Sequence, residues 1–260
     1  MKKQLLLLVL LLFQLIPQLF SRDLEKVKLL ILSGRNNHEW QQTTGFLENM
    51  FHQTRYFRTE VTNQPDTLKL ADLQQFDVVL SNWNSWPEND LRWPAETEKA
   101  LLQFIKSGGG FVTFHSSTSV FYNWPEFQEI STGAWIADTT NHGKPSVTRV
   151  EIINENHPVT KGLMGFEIFD ELWINASKNN KFEVLGTATN DELIKNGKES
   201  QPAIMVAEFG KGRIFHTILG HDINALENEG FQTLMLRGTE WVATGKVSKK
   251  TAPLNLYQNK

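Results

Sequence analysis

Four of the seven histidines occupy positions where an open α/β sheet places its functional residues. His38 follows the first apolar segment, His115 ends a glycine-led segment, and His221 follows the last apolar segment. His142 lies in a long polar loop. Ligands of such sheets bind outside the carboxyl ends of the strands, so three of these residues are expected at one edge. A histidine there can move a proton or bind a metal ion.

Carboxylates near these histidines extend the possible chemistry. Asp222 follows His221 directly and either orients an imidazole, binds a hydroxyl or caps the following turn. Asp170 and Glu171 are adjacent, and successive side chains on a strand face opposite sides, so only one would face a site. We favour Glu171. The predicted catalytic residues are His38, His115, His221 and Glu171.

Tryptophans alternate with asparagines in the loop after the third apolar segment. Aromatic rings can stack on a sugar while amides bond its hydroxyl groups, which makes this loop a candidate binding surface. Packing that anchors the loop is the alternative. The predicted ligand-binding residues are Asn37, Trp83, Trp86, Ser116, His142 and Asp222.

The elements that position these residues alternate between strands and helices in the first half of the chain. Short connections between them favour a parallel sheet covered on both faces. The second half is richer in strands and closes with a helix. Predicted strands are Val27–Ser33, Phe57–Thr62, Phe76–Ser81, Gly110–Phe114, Val147–Asn154, Glu183–Thr189, Ala203–Glu208 and Arg213–Leu219. Predicted helical segments are Glu39–His52, Leu70–Leu73, Ala95–Lys106 and Gly230–Thr244. These elements predict a single domain over residues 26–245, followed by a polar tail over residues 246–260.

Residues 1–21 have the pattern of a secretory signal peptide. Lys2 and Lys3 precede the apolar run from Leu5 to Phe13, which is shorter than a membrane span. The expected location is therefore periplasmic or extracellular. An uncleaved N-terminal anchor is the alternative.

Composition limits the partners and the chemistry. The net charge is −3 without basic blocks, so we expect no nucleic-acid partner and no membrane contact beyond the leader; a homo-oligomer is compatible. The absence of cysteine removes thiol chemistry. A serine nucleophile is disfavoured because Phe114–Thr118 lacks the flanking glycines of a nucleophile elbow.

Three segments of the chain resemble the ThuA-like (trehalose-utilisation) family. They are Ile31–Gly34 with His38–Trp40, Gly108–Ser116, and Gly210–Asp222. The resemblance extends over approximately residues 27–244. It implies a flavodoxin-like three-layer α/β fold of the class I glutamine-amidotransferase-like kind, with a mainly parallel sheet, and an association with sugar catabolism. The turn that carries the catalytic cysteine in amidotransferases has His115–Ser116 here, so thiol-dependent amide transfer is excluded.

Three functional interpretations remain open. The first is an exported enzyme that acts on a sugar or glycoside through histidine and carboxylate groups, which could also hold a divalent metal. The second is a non-catalytic carbohydrate-binding module on an amidotransferase-like scaffold. The third is an interaction domain of a larger surface complex.

Overall fold

A nine-stranded mixed sheet forms the centre of the fold. The structure is a computed structural model that describes residues 26–88, 90–177 and 181–248. The strands are β1 (Val27–Leu32), β2 (Phe57–Thr62), β3 (Val78–Ser81), β4 (Gly110–Phe114), β5 (Asn141–His142), β6 (Ser146–Ile152), β7 (Phe166–Asp170), β8 (Trp173–Ile174), β9 (Glu183–Asn190), β10 (Gln201–Phe209) and β11 (Gly212–Thr217).

The helices cover both faces of this sheet. They are α1 (Trp40–Gln53), α2 (Leu70–Leu73), α3 (Ala95–Lys106), α4 (Pro125–Ile130), α5 (Asp191–Lys195), α6 (Ile223–Leu226) and α7 (Glu229–Thr244), with 3₁₀ turns at Pro65–Thr67 and His115–Thr118. Helix α7 ends at Gly245, whose φ of +72° provides the left-handed stop that the sequence predicts.

Half of the sheet is parallel, and the strand order there is β2–β1–β3–β4–β11. Alternate residues of β1 point to opposite faces. Leu29 and Ile31 belong to the apolar cluster that includes Phe51 of α1 and residues of α7. Leu30 belongs to the cluster on the other face of the sheet, which includes Phe104 of α3. The strand is buried on both faces, which is why it reads as a continuous apolar run.

The other half of the sheet is antiparallel and continues from β11 in the order β10–β9–β6–β7. The turn at Gly210–Lys211 joins β10 to β11 as the sequence predicts. A separate two-stranded sheet pairs β5 with β8, and its register places His142 opposite Trp173. This small sheet matters for function because both of its strands bring a side chain to the candidate site.

The predicted fold class is confirmed: the chain is an α/β protein whose central sheet has a parallel core of five strands and flanking helices. The predicted strand at Phe76–Ser81 begins at Val78, and the strand predicted to reach Leu219 ends at Thr217.

Strand β7 was missed by the sequence prediction. Phe169 is exposed in it and Asp170 is buried, which reverses the pattern expected of a surface strand. The predicted signal peptide and most of the predicted tail lie outside the described residues. Within the described part of the chain, no helix combines the length and apolar character needed to cross a membrane.

Candidate functional site

Three histidine rings and one carboxylate meet at the carboxyl edge of the sheet. His38 lies between β1 and α1, His115 directly follows β4, and His221 lies beyond β11. The ring centroids of His38 and His221 are 4.7 Å apart, and those of His115 and His221 are 5.3 Å apart. Glu171, immediately after β7, completes the group, which is named the histidine cluster below.

His115 is held with one ring nitrogen fixed as a proton acceptor. Its Nδ1 lies 2.9 Å from the carbonyl oxygen of Ile218, an acceptor only, so Nδ1 carries the proton and donates it there. The opposite nitrogen, Nε2, is then unprotonated and faces His221. His115 has a φ of +40°, an uncommon conformation for a residue with a side chain, at the turn that leaves β4.

A network of asparagines orients His38. The Asn36 Oδ1 atom accepts the backbone N–H of His38 at 2.9 Å and the side-chain amide of Asn84 at 2.8 Å. The Nδ1 atom of His38 lies 3.1 Å from that same oxygen and 3.2 Å from Asn37 Oδ1. Because both oxygens only accept, His38 Nδ1 is the donor and Nε2 keeps its lone pair. Ser116 Oγ also donates to Asn36 Oδ1, which ties the β1 loop to the β4 turn.

Glu171 is buried, and both of its carboxylate oxygens have aromatic or histidine neighbours. Oε1 accepts the indole N–H of Trp173 at 3.3 Å. It also lies 3.7 Å from His115 Nε2 and 3.7 Å from His221 Nδ1. Oε2 lies 3.1 Å from His142 Nδ1. The carboxylate therefore links the histidine cluster to the β5–β8 sheet.

Asp170 positions the turn that carries His221. Its carboxylate accepts the backbone N–H groups of Gly220 at 2.7 Å, Glu171 at 2.8 Å and His221 at 3.0 Å. Gly220 has a φ of +108°, and a Cβ there would lie 2.7 Å from the Phe231 ring, so the turn requires glycine. These bonds join β7 to the segment after β11.

Burial changes the proton affinity of three of these groups. Burial, with the neighbouring His221 and His142, lowers the pKa of His38 to about 4. The pKa of His115 is well below its ordinary value because the ring is buried and lies beside His38. Burial raises the pKa of Asp170 to about 7, against the effect of its backbone hydrogen bonds. At neutral pH, His38 and His115 are thus neutral imidazoles, the form that accepts protons or binds metals.

The histidine cluster has the composition of a metal-binding group. His38, His115, Glu171 and His221 each offer one ligand atom, and all four atoms lie within 4.8 Å of one another.

A pocket opens directly beside the cluster. It has a volume of about 290 Å³, at the small end of the range for ligand pockets. Three tryptophans contribute to its wall; the ring centroids of Trp135 and Trp173 are 5.3 Å apart, and those of Trp86 and Trp135 are 5.9 Å apart. The remaining lining residues are Asn37, His38, Ser116, Ser119, His142, Glu171 and His221.

A second, more open pocket of about 630 Å³ adjoins the first. The two pockets share Asn37, His38 and His221. The second is lined mainly by polar residues of the β1 loop and the α6 region, including Asp222 and Asn224. The histidine cluster thus lies at the junction of an aromatic compartment and a polar one.

The β5–β8 sheet covers one side of this site. Backbone hydrogen bonds join Gly133 to Ser177 at 3.0 Å and Ser177 to Ala134 at 2.9 Å. The segment that contains Trp135 and His142 is thereby fixed against the segment that follows Glu171. The sequence indicated a long covering loop around His142, but it gave no sign that Trp173 pairs with it.

The structure brings together most of the predicted site residues. His38, His115, His142, His221 and Glu171 converge as described, and Asn37, Ser116 and Trp86 line the pocket.

Two predicted ligand-binding residues have other contacts. Trp83 is buried and stacks on Phe121 with a centroid distance of 5.6 Å, so it belongs to the core and not to the pocket wall. Asp222 lines the polar pocket, and its Oδ1 atom caps α6 by accepting the Ala225 N–H at 3.0 Å. The capping alternative therefore describes its contact.

Sequence reasoning missed the residues that support the cluster. Asn36, Asn84 and Asp170 make hydrogen bonds between segments far apart in the chain, so no local pattern reveals them. Trp173 was visible beside the Asp170–Glu171 pair, and its proximity to Glu171 was a usable signal.

Comparison with known proteins identifies the family. The sequence matches the ThuA family, described as "Trehalose utilisation", over residues 28–242. Among curated proteins, none matches the sequence.

Solved structures of similar proteins agree with this match. A ThuA-like protein from Parabacteroides merdae has 28% sequence identity and a TM-score of 0.74, with 86% of this chain and 92% of that chain covered. A ThuA-like protein from Bacteroides uniformis has 22% identity and a TM-score of 0.64, over 85% of this chain and 94% of that one. A Salmonella typhimurium protein described as cytoplasmic shares the fold at 14% identity, with a TM-score of 0.59 and coverages of 84% and 99%. With its family match over most of the described residues, the chain belongs to the ThuA family.

Proposed function

We propose that this protein binds a sugar or glycoside beside the histidine cluster and acts on it by histidine–carboxylate acid–base chemistry. The proposed setting is carbohydrate catabolism outside the cytoplasm. The family description supports the link to sugar utilisation, and the pattern of residues 1–21 supports export. One observation carries the proposal: three histidines and the Glu171 carboxylate line one pocket with three tryptophan rings, and the buried His115 lies 3.4 Å from His221.

The aromatic compartment suits the apolar face of a sugar ring. Trp86 and Trp135 are arranged edge to face, and each lines the pocket that Glu171 also lines. Stacking of a pyranose on such a ring leaves its hydroxyl groups free to bond the polar side chains nearby. The adjoining polar pocket would accept the second unit of a disaccharide or the aglycone of a glycoside.

The hydrogen bonds around the cluster suggest a division of roles. His115 Nε2 is an acceptor, because Nδ1 donates to Ile218, and it lies 3.4 Å from Nδ1 of His221, a ring that lines the pocket. A proton from a bound hydroxyl group would therefore reach His115 through His221. The His142 ring is more exposed than that of His115, and its Nδ1 atom lies 3.1 Å from Glu171 Oε2. The His142–Glu171 pair would then exchange protons with the ligand or with solvent.

The burial and the strained backbone of His115 favour catalysis over a purely binding role. A ring that is 1% exposed, on a backbone with φ of +40°, costs stability. Stacking and hydroxyl recognition do not require such a residue, whereas a proton acceptor of fixed orientation does. A non-catalytic carbohydrate-binding module is the alternative that the experiment must separate.

The test combines calorimetry with product analysis on the purified protein, using trehalose, other disaccharides and simple glycosides. Glu171→Gln keeps the side-chain shape and removes the charge. Glu167→Gln, an exposed position on the same strand β7, is the matched control. We expect the wild type and the control to bind and turn over at least one of these sugars. Loss of the general acid–base group should lower turnover in the Glu171→Gln protein by about 10²–10⁴-fold.

The remaining outcomes decide between the interpretations. Binding without turnover in the wild type would establish the carbohydrate-binding module instead of the enzyme. Equal turnover by Glu171→Gln and Glu167→Gln would refute the role of the carboxylate. Failure of every neutral sugar to bind would refute the proposal as a whole.

A further inference from the structure

We propose that the histidine cluster binds one divalent first-row transition-metal ion, of the zinc type, through His38 Nε2, His115 Nε2, His221 Nδ1 and a Glu171 oxygen. This inference deepens the proposed function: with an ion bound, His115 Nε2 and a Glu171 oxygen are its ligands, so the ion takes over from them the activation of the sugar oxygen. It rests on the proposed function only for the identity of the ligand that meets the ion. Metal binding itself is measured without any sugar.

The distances between the ligand atoms fit the coordination sphere of such an ion. His115 Nε2 lies 3.4 Å from His221 Nδ1, and each lies 3.7 Å from Glu171 Oε1. With metal–nitrogen bonds of about 2.0–2.1 Å, the ligand atoms of a tetrahedral zinc site are about 3.3–3.4 Å apart. The spacings among His115, His221 and Glu171 exceed these by a few tenths of an ångström, and all four ligand atoms, that of His38 included, lie within 4.8 Å of one another. Side-chain rotations that draw the atoms together would complete the site.

The hydrogen bonds around the cluster have the form found around metal-bound histidines. Such a histidine donates its second ring N–H to a carbonyl or carboxylate oxygen, which fixes the tautomer and the ring orientation. His115 makes this bond to the Ile218 carbonyl, and His38 makes it to the side-chain oxygens of Asn36 and Asn37. In both residues the remaining nitrogen keeps its lone pair for the ion.

The charge balance of the site also calls for a cation. Glu171 is 8% exposed, and a buried carboxylate is costly unless a positive charge or several hydrogen bonds compensate it. Within the described residues, its ion-pair partners are all histidines, and the pocket lining contains neither lysine nor arginine. A divalent ion held by the imidazole nitrogens beside Glu171 would supply a positive charge.

The type of donor limits the choice of metal. Imidazole nitrogen with one carboxylate suits zinc and its first-row neighbours, whereas calcium and magnesium prefer oxygen ligands throughout. The ion would lie at the junction of the two pockets, because His38 and His221 line both. A hydroxyl or carbonyl oxygen of the bound sugar could then enter its coordination sphere and become polarised.

Two of the candidate residues from the sequence lie outside this coordination group. His142 contacts Glu171 Oε2 and would hold the carboxylate from outside the coordination sphere. Asp222 caps α6 through Oδ1.

The test measures metal content and metal affinity in the full, sugar-free protein. The protein is stripped with a chelator and titrated with Zn²⁺, Co²⁺ and Ni²⁺ by calorimetry, with elemental analysis of the dialysed product. His221→Asn removes one ligand from a partly exposed position, and His52→Gln removes an exposed histidine of α1 as the matched control.

We expect one ion per chain in the wild type and in His52→Gln, and an affinity at least 100-fold lower in His221→Asn. The Co²⁺ form should show the intense visible absorption of a four- or five-coordinate site. If His221→Asn does not fold, the Co²⁺ spectrum and stoichiometry of the wild type still decide. Less than a tenth of an equivalent bound, an octahedral Co²⁺ spectrum, or equal affinity in the two variants would overturn the proposal.

The two proposals fail separately. Metal binding without sugar binding would leave this inference standing and refute the proposed function. Sugar turnover by a protein that neither contains nor binds a transition metal would support the proposed function and refute the metal site.

Discussion

His216, a buried histidine outside the site, should make the stability of this protein strongly dependent on pH. The ring is 0% exposed on β11; its Nδ1 atom lies 2.8 Å from Thr113 Oγ1, and its Nε2 atom has no hydrogen-bond partner among the described residues. A Cβ on Gly133 would lie only 2.5 Å from that Nε2 atom, so the ring is enclosed on this side. Protonation would therefore create a buried charge without a new acceptor.

The sign and size of the effect follow from the pKa. Burial lowers the pKa of His216 from 6.5 to about 3 in the folded state. The unfolded state therefore binds a proton first, and stability falls as pH decreases from 6.5 towards 3. Each pH unit within that window costs about 1.4 kcal/mol, so the loss at pH 5 is about 2 kcal/mol for this residue.

Urea unfolding at pH 7.5 and pH 5 measures this contribution. Replacement His216→Gln removes the titrating group, so its stability loss between the two pH values should be about 2 kcal/mol smaller than that of the wild type. The other histidines with a lowered pKa, among them His38 and His115, remain in both proteins and cancel in the comparison. His52→Gln, at an exposed position, should retain the pH dependence of the wild type.

The comparison concerns the change with pH and not the absolute stability, so a general destabilisation by the substitution does not affect it. If His216→Gln has the same pH dependence as the wild type, the pKa of His216 is the same in the folded and unfolded states, and the ring is protonated in the folded protein at pH 5. A histidine NMR titration of the wild type provides the direct check, and a folded-state pKa near 6.5 would refute the reasoning.

Two further predictions concern packing and the support of the site. Gly45 and Gly238 both lie inside helices, but a Cβ at Gly45 meets nothing within 4 Å, whereas one at Gly238 would lie 2.5 Å from the Phe215 ring. In urea unfolding, Gly45→Ala should raise the free energy of unfolding by up to about 1 kcal/mol. Gly238→Ala should be about 1–3 kcal/mol less stable than Gly45→Ala, because its methyl group would collide with the Phe215 ring. Equal changes in the two variants would contradict this packing argument. Asp170→Asn should lower the free energy of unfolding by about 1–3 kcal/mol, because one amide oxygen cannot replace a carboxylate that accepts three N–H groups. It should also weaken ligand binding through the displaced His221, and unchanged stability would show that the three hydrogen bonds are dispensable.

Local patterns were sufficient to predict the parallel half of the fold. The strands Val27–Leu32 and Gly110–Phe114 are buried on both faces, and helix Ala95–Lys106 has one apolar side, so each element is encoded in its own segment. Because parallel strands end at one edge, the positions of His38, His115 and His221 after such strands were enough to predict that they would meet.

In the antiparallel half, local patterns predicted β6, β9 and β10 but not β7. Strand β7 exposes Phe169 and buries Asp170, since the carboxylate there accepts backbone N–H groups from residues about fifty positions later. Trp83, which follows β3 in the parallel half, was misplaced for a related reason: its sequence context resembles a binding loop, but its ring packs against Phe121, 38 residues later in the chain, in the core.

The sequence by itself determined most strands of the large sheet and its long helices, the family, the absence of thiol chemistry and the residue types available at the sheet edge. Only the tertiary structure decided which of those residues form one cluster. It brought Glu171 from β7 to the ends of β4 and β11, and it fixed the tautomers of His38 and His115 through distant partners. The reason is physical: strand and helix patterns depend on neighbours in the chain, whereas ring orientation and carboxylate burial depend on hydrogen bonds between segments that meet only after folding.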